Sequence, residues 1–482
     1  MTIGDNLVPF KERGSIRIRG RVSRRRLLTT ATIAGAMLVV GAGSAAATAR
    51  FQVGPTTNDT AIAQNSTRML TEGRHTFRFD TFGDEAFWGD TLQLHRAIEG
   101  QKFGGVGPGV SPRTALSVGL KVDVDALPED LQEQLKAGQV NLDDPGTTVA
   151  LLKLNAVVGL TGLFNPDGTL RSMGIQCALC HSTVDNSFAA GIGHRLDGWA
   201  NRDLNVGVIV SLAPNLQPVA NVLGVDVPTL KAVLASWGPG HFDAEVFMDG
   251  KAVHTDASGV NRAAALIPPA YGLAGVNLHT WTGWGSVTYW NAFVANLEMH
   301  GVGTFFDERL DNAQQFPLGA RDRSGHVSNP GNDQITSKLA ALQFYQLSIP
   351  APTAPAGSFD PAAAARGQAL FNGKAQCATC HVPPLFTEPG NNIHTPSEIG
   401  IDGFQANRAP AYVIGDAQGN PIVVHGYRTA PLKGLWAHQK GGFFHDGRFA
   451  TLGDVVNHYN TTFSLNLTPQ EKNDLVQYLL SI

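Results

Sequence analysis

The four cysteines of this 482-residue chain all fall in two copies of one pattern. The copies are CALCH at residues 177–181 and CATCH at residues 377–381, which pair Cys177 with Cys180 and Cys377 with Cys380. Two thiols three residues apart on a helical turn face the same side, so both can form thioether bonds to one haem. The histidine that follows is then placed to bind the iron. The pattern predicts two covalently bound haem c groups, with His181 and His381 as iron ligands.

Other uses of such cysteine pairs fit this chain less well. A disulfide framework is typical of short chains with many spread cysteines, whereas this chain is long and has few. The two pairs of a zinc ribbon usually lie within a few tens of residues, and here they are 200 residues apart. A thioredoxin-like pair needs no histidine directly after it, yet both copies have one. Covalent haem accounts for both copies.

The first 49 residues have the pattern of an export signal. A basic stretch ends in SRRRLL at residues 23–28, and an uncharged run from residue 27 to residue 49 closes with small residues. The consecutive arginines favour the twin-arginine route. A retained membrane anchor is the alternative, since 23 uncharged residues can just span a bilayer. The Ala-rich end favours cleavage, so we expect a periplasmic protein.

The charge of the remaining chain excludes one class of partner. The first 49 residues carry 8 Lys and Arg and 2 Asp and Glu, which leaves 28 basic against 38 acidic residues and a formal charge of −10. This acidity speaks against nucleic-acid binding and favours a basic redox partner.

The rest of the chain is expected to be mainly α, with two cytochrome c-like haem domains, long irregular loops and an enlarged N-terminal domain. The 54 glycines and 27 prolines favour long loops around large cofactors. Order is expected to begin near Phe77, after a polar stretch. We predict an N-terminal haem domain over residues 50–347, a Pro-rich linker over residues 348–358 and a C-terminal haem domain over residues 359–482.

Several helices are predicted from periodicity and capping. Apolar spacing indicates helices over residues 85–98, 338–347 and 361–371. TPQE at residues 468–471 is a capping box that begins the last helix. Another helix begins after Thr451, and its apolar spacing points Tyr459 inward and His458 about 100° round the helix axis.

Two C-terminal segments resemble the bacterial dihaem cytochrome c peroxidase superfamily, which also contains a quinone-maturing dihaem enzyme and dihaem rubber oxygenases. The segments are YRTAPLKG at residues 427–434 and FFHDGRFATL at residues 443–452. The family's landmarks match most of residues 170–482. The resemblance implies that the first haem is peroxidatic and the second transfers electrons.

The resemblance also implies further site residues. His194, in an Ile-Gly-His context, matches the family's distal ligand of the first haem; a surface loop histidine is the alternative. At the second haem, Tyr459 stands where peroxidases have methionine, and the quinone-maturing enzyme is similar in having tyrosine there. His458 is the neighbouring candidate. A tyrosine that only packs in the core remains an alternative.

Three more residue assignments follow from the resemblance. Trp290 matches the family's tryptophan between the haems, whereas Trp281 and Trp284 are expected to be core aromatics. Glu298 is the candidate for the distal acid–base group, with an exposed helical glutamate as the alternative. A calcium ion bridges the domains in many relatives, and its candidate ligand here is Asn201 or Asn205.

The leading function that the resemblance implies is reduction of hydrogen peroxide by electrons from a small cytochrome or cupredoxin. One alternative is an oxidase or oxygenase that acts on an organic or protein substrate through high-valent iron, because the chain carries extra residues around the first haem. Another is an electron carrier without catalysis. Whether two copies of the chain form a homodimer is a question for experiment.

Overall fold

The computed structural model describes residues 56–255, 261–415 and 419–482. The predicted export signal over residues 1–49 lies outside the described residues. Residues Thr57–Ile482 form one compact unit. Helix takes 43% of the structure and strand 11%, so the mainly α class is confirmed. The division into two haem domains and a linker stays a prediction.

The α-helices are short except for the first and those near the C-terminus. In chain order they are α1 Thr57–Phe79, α2 Leu94–Glu99, α3 Pro112–Ser117, α4 Glu129–Lys136, α5 Pro145–Lys153, α6 Ala178–His181, α7 Val206–Ser211, α8 Gln217–Leu223, α9 Val227–Trp237, α10 Val246–Asp249, α11 Val287–Phe293, α12 Pro317–Arg321, α13 Leu339–Ser348, α14 Pro361–Asn372, α15 Pro396–Ile399, α16 Leu452–Thr462 and α17 Pro469–Ser481. Two π-helical turns cover Ala86–Thr91 and Val294–Glu298.

The strands form two-stranded ribbons. They are β1 Val122–Asp123, β2 Leu160–Phe164, β3 Leu170–Ile175, β4 Ser182–Val184, β5 Ile192–Gly193, β6 Arg195–Asp197, β7 His241–Phe242, β8 Ala265–Leu266, β9 Phe305–Phe306, β10 His326–Val327, β11 Tyr412–Gly415 and β12 Pro421–Val424. β1 pairs with β5 in parallel, and the antiparallel pairs are β2 with β3, β4 with β6, β7 with β8, β9 with β10 and β11 with β12.

Two expectations about the N-terminal part are wrong. Regular structure is present well before Phe77, because α1 already spans Thr57–Phe79 and packs closely against α13: a Cβ on Gly73 would lie 2.0 Å from the Ala341 carbonyl oxygen. The helix predicted over residues 85–98 is broken into a π-helical turn and α2, and Gln93 between them has φ +59°.

The helices predicted in the C-terminal part are confirmed. α14 and α17 pack closely, since a Cβ on Gly367 would lie 2.0 Å from the Asp474 carbonyl oxygen. Capping boxes begin α16 at Thr451 and α17 at Thr468. A core that includes Phe371, Leu435, Leu452 and Leu475 fills the space between these helices.

Among the described residues, no single helix has both the length and the apolar character needed to cross a membrane. α8 and α9 meet both requirements only when taken together, and the pair is bent by 84°. Leu230 and Leu234 of α9 are buried in the protein core, as expected for a helix that packs inside a globular unit.

Candidate functional site

The first attachment motif is held rigidly by its own two central residues. Ala178 and Leu179 are 0% and 7% exposed, so the turn between the cysteines is anchored in the core. The carbonyl oxygen of Cys180 accepts a hydrogen bond from the Asn201 backbone at 2.8 Å. Gly159 packs so closely that a Cβ there would lie 2.2 Å from the Leu179 Cα. The second motif is more open, because Thr379 between its cysteines is exposed.

The two motif histidines are oriented in the same way. The Nδ1 of His181 lies 3.1 Å from the carbonyl oxygen of Pro268, and the Nδ1 of His381 lies 3.2 Å from that of Phe386. When the Nδ1–H donates to a carbonyl oxygen, the lone pair of Nε2 is free to bind a metal. Burial lowers the pKa of both imidazoles to about 4, so both are neutral at pH 7. Each therefore meets the chemical requirements of an iron ligand.

The four cysteines do not form the alternative sites considered above. None of them is in a disulfide, and the described residues bring no ligand atoms of the two motifs together in one metal-sized group. Burial raises the pKa of the Cys177 and Cys180 thiols to about 12 and that of Cys377 to about 11.

Two arginines have buried guanidinium groups that lack a carboxylate partner. The Arg202 Nε and the Arg428 Nη1 are buried without a hydrogen-bond partner, and neither arginine forms an ion pair with a described carboxylate. Burial lowers the pKa of both to about 10. A buried cation without an anion is costly unless a bound group supplies one. Haem propionates would supply that charge, so the residues present fit haem.

Glu298 is the predicted acid–base residue that the structure places beside a haem motif. It ends the π-helical turn Val294–Glu298, a type of irregularity that is frequent at functional sites. Its Oε1 is buried without a partner, and its charge acts on the Cys180 thiol. Burial, with a smaller contribution from Glu245, raises the pKa of Glu298 to about 8. The alternative of an exposed helical glutamate is therefore wrong.

The structure does not bring His194 to the first motif as an iron ligand. Its side chain is 53% exposed, and its Nδ1 lies 2.8 Å from the Asp125 carboxylate. This hydrogen bond raises the pKa of the His194 imidazole. The distal-ligand prediction is therefore wrong in this structure: His194 is a surface histidine held by Asp125, an acid from a distant part of the chain.

The structure distinguishes the two candidates at the second motif. The Nε2–H of His458 donates to the Ile399 carbonyl oxygen at 2.8 Å, which occupies that nitrogen. The Tyr459 ring stacks on Phe463, and no hydrogen bond of its hydroxyl occurs among the described residues. Burial and the nearby Cys380 and Cys377 raise the pKa of Tyr459. The Tyr459 hydroxyl is therefore the group that is free to bind iron near the second motif.

Trp290 lies in an aromatic cluster, and its position between the haems stays a prediction. It stacks on Phe293 at 4.7 Å and lies 5.7 Å from Trp284, which is buried in the core as expected. The indole of Trp281 donates to the Leu266 carbonyl oxygen at 2.9 Å.

A different pair of tryptophans joins the two regions of the chain. Trp199 and Trp436 meet edge to face with ring centroids 5.6 Å apart. Tyr271 lies 6.2 Å from Trp199, and its hydroxyl lies 2.7 Å from the Nδ1 of His438. Sequence reasoning missed this contact because neither tryptophan stands in a recognised motif.

The calcium candidates differ in what their side chains already do. The Asn205 side chain accepts from the Val208 backbone and caps α7. The Asn201 Nδ2 donates to the Gly119 carbonyl oxygen at 2.9 Å, and its Oδ1 is buried without a partner. Among the described residues, the potential ligand atoms that gather within 4.8 Å belong to Cys380, Glu388 and His394.

Comparisons with known proteins found relatives that match part of the chain. No protein-family profile matches the chain. The methylamine utilization protein MauG of Methylorubrum extorquens is 28% identical over 224 residues, which cover 41% of this chain and 60% of that protein. The cytochrome-c peroxidase IdrP1 of Denitromonas iodatirespirans is 30% identical over 152 residues, which cover 24% and 39%. The matches thus span less than two thirds of either relative.

Two solved structures are similar over part of the chain. A MauG-like protein associated with microbial copper homeostasis is 20% identical, with a TM-score of 0.31 over 50% of this chain and 81% of that one. Hydrazine synthase of Kuenenia stuttgartiensis is also 20% identical, with a TM-score of 0.24 over 46% and 73%. These scores are too low to show a common overall fold.

The attachment motifs, the oriented histidines and the unpaired arginines define a c-type haem protein. The sequence relatives narrow the class further. The chain is similar, over part of its length, to members of the bacterial dihaem cytochrome c peroxidase superfamily.

Proposed function

We propose that the chain is an exported dihaem oxidoreductase that reduces hydrogen peroxide to water with electrons from a small redox protein. When bound, haem supplies the iron at which peroxide accepts electrons. The chain's own residues hold the haem, move the protons and conduct the electrons. His181 and His381 would hold the two irons, and the four motif cysteines would hold the two porphyrins.

The observation that carries this proposal is the state of Glu298. A carboxyl group assists proton transfer best when its pKa lies near the working pH, because it then both accepts and releases protons. The pKa of Glu298 is raised to about 8. One carboxyl oxygen has no protein partner and is available to a reactant. Glu298 therefore suits the transfer of protons to peroxide beside the first motif.

Steady-state peroxide reduction by the Glu298→Gln variant tests the proposal. With a reduced small c-type cytochrome as donor, we expect kcat at pH 7 to fall roughly 100-fold, the size of a general acid–base contribution. Glu308→Gln, ten residues on and exposed, is the control and should keep the wild-type rate. Protein mass would verify that both variants carry haem. A Glu298→Gln enzyme with the wild-type rate would refute this assignment.

Oxidation of an organic or protein substrate is a second candidate function, and Tyr459 favours it. Methionine ligation raises the potential of an electron-storing haem, whereas a phenolate ligand favours oxidised iron. Electron paramagnetic resonance of the resting protein tests the ligand. Tyr459→Phe should alter the spectrum of one haem, and His458→Gln should leave it unchanged. The reverse result would make His458 the ligand.

The electron donor and the location are parts of the same proposal. The exposed Thr379 leaves the edge of the second motif open, which favours electron transfer from a partner there. The formal charge of −10 beyond residue 49 favours a basic donor. Turnover with a basic cytochrome should weaken as salt rises, and a rate that is independent of salt would argue against this choice of donor.

A further inference from the structure

Glu245, whose charge acts on Glu298, belongs to a group of buried acids. Asp243 and Asp249 have side chains 0% exposed, and they surround Arg408, which is 1% exposed. Glu245, between them in the chain, is 8% exposed. We refer to these four residues as the acid cluster. They come from the turn after β7, from α10 and from the 3₁₀ turn Ala406–Arg408.

Arg408 neutralises only part of this cluster. Its Nε and Nη2 donate to the two carboxylate oxygens of Asp249 at 2.8 and 3.1 Å. Its Nη2 also lies 2.8 Å from the Asp243 Oδ1, and its Nη1 donates to the Ala263 carbonyl oxygen at 3.0 Å. Arg408 thus contacts two carboxyl groups and interacts electrostatically with a third, that of Glu245. Glu245 in turn interacts electrostatically with Glu298.

The charge imbalance requires bound positive charge. Buried carboxylates without a cation are strongly disfavoured, so such groups take up protons or bind a metal. A metal is disfavoured by geometry, because among the described residues the acids of the cluster do not bring three ligand atoms within 4.8 Å of one another. Protons are therefore the better counter-charge.

Two unpaired acceptors point to where these protons reside. The Asp243 Oδ2 and the Gln405 Oε1 are both buried without a hydrogen-bond partner. The Gln405 Nε2 donates to the Glu245 Oε1 at 2.8 Å, so this amide lies against the cluster. A buried acceptor without a donor is costly, and a proton on a neighbouring carboxyl group removes that cost.

We propose that the acid cluster is a proton store, in which Asp243 and Glu245 hold protons in the resting protein and release them when peroxide is reduced. This inference rests on the proposed function. Reduction of one hydrogen peroxide to two waters consumes two electrons from the donor and two protons. The store supplies those protons inside the protein and is refilled from solvent between turnovers.

The electrostatics of the cluster agree with this assignment. Burial raises the pKa of Asp243 to about 7, although Arg408 opposes the change and Glu245 adds to it. Burial also raises the pKa of Glu245. Asp249 makes the bidentate contact with Arg408, which is the strongest hydrogen-bonded pairing in the cluster.

Infrared spectroscopy of the haem-loaded resting protein tests the store directly. A neutral carboxylic acid has its own carbonyl band, which shifts in D₂O and disappears on ionisation. We expect this absorption to fall between pH 6 and pH 9 in the wild type, and Asp243→Asn and Glu245→Gln each to lack part of it at pH 6. Asp474→Asn is the control, because Asp474 is buried but paired one to one with Arg366.

Turnover supplies a second, independent measurement. In Asp243→Asn, kcat for peroxide should fall roughly 10-fold and its solvent deuterium isotope effect should rise, because proton supply becomes limiting. The store is overturned if the variants keep the whole neutral-acid band. It is also overturned if a bound cation is found whose removal by a chelator creates the band. A titrating band in a protein that reduces no peroxide would refute the proposed function and leave the store standing.

Discussion

Replacement of Glu298 by glutamine is expected to stabilise the folded protein near neutral pH while it slows the reaction. Glutamine keeps the shape of the side chain but cannot ionise. The pKa of Glu298 is raised from an ordinary 4.5 to about 8, mainly by burial. Between these two values the folded protein holds a proton that the unfolded chain has released.

The size of the effect follows from this difference in proton binding. Stability falls as pH rises wherever the folded state binds more protons than the unfolded state. Each pH unit in the window costs about 1.4 kcal/mol, so Glu298 removes about 3 kcal/mol of folding free energy between pH 5 and pH 7. The loss ends above the pKa of about 8. The Glu298→Gln variant should lack the part of the pH-dependent loss of folding free energy that Glu298 causes.

Urea unfolding at pH 5, 6 and 7, followed by far-UV circular dichroism, measures the slope. Wild type and Glu308→Gln should lose stability in parallel, whereas Glu298→Gln should lose less by about 3 kcal/mol over this range. Asp243, whose pKa is raised to about 7, should keep some slope in the variant. Identical slopes in wild type and Glu298→Gln would refute the conclusion that Glu298 is neutral in the folded state.

Three further predictions concern other parts of the molecule. Arg428→Met should lower the reduction potential of one haem in spectroelectrochemistry, because a buried positive charge disfavours oxidised iron; Arg366→Met is the control, and equal potentials would contradict the propionate assignment. Trp436→Leu should slow electron transfer between the haems in stopped-flow measurements more than Trp290→Leu does, since Trp436 contacts Trp199; the opposite order would restore Trp290 as the conduit. Thr451→Ala should cost about 1 kcal/mol in urea unfolding by removing the capping box of α16; unchanged stability would show that the cap contributes nothing.

Local patterns predicted the features that depend on neighbouring residues. The capping box at Thr468 and the start of α16 after Thr451 needed only a few residues of context, and both are confirmed. The inward position of Tyr459 followed from helical spacing alone. The attachment motifs likewise contain their own chemistry within five residues.

Features set by distant contacts could not be predicted in the same way. The helix expected over residues 85–98 starts instead as a π-helical turn, which packs against β3 at Gly89, where a Cβ would lie 1.7 Å from the Ser172 Oγ. Asp125, which holds His194, is 69 residues away in the chain. The acid cluster joins Asp243 and Arg408, which lie far apart in the sequence. The burial of Glu298 likewise depends on tertiary packing. No pattern along the chain reports such pairings.

The backbone carbonyls of Pro268 and Phe386 affect which residues of this protein can be replaced during evolution. Because the group that aligns each motif histidine is main chain, an exchange of the residue at either position leaves the acceptor oxygen in place. Other groups near the motifs are side chains, such as Glu298 near Cys180 and Tyr459 near Cys380, which a single codon change can replace. Reactivity can therefore diversify while the alignment of both imidazoles is inherited intact.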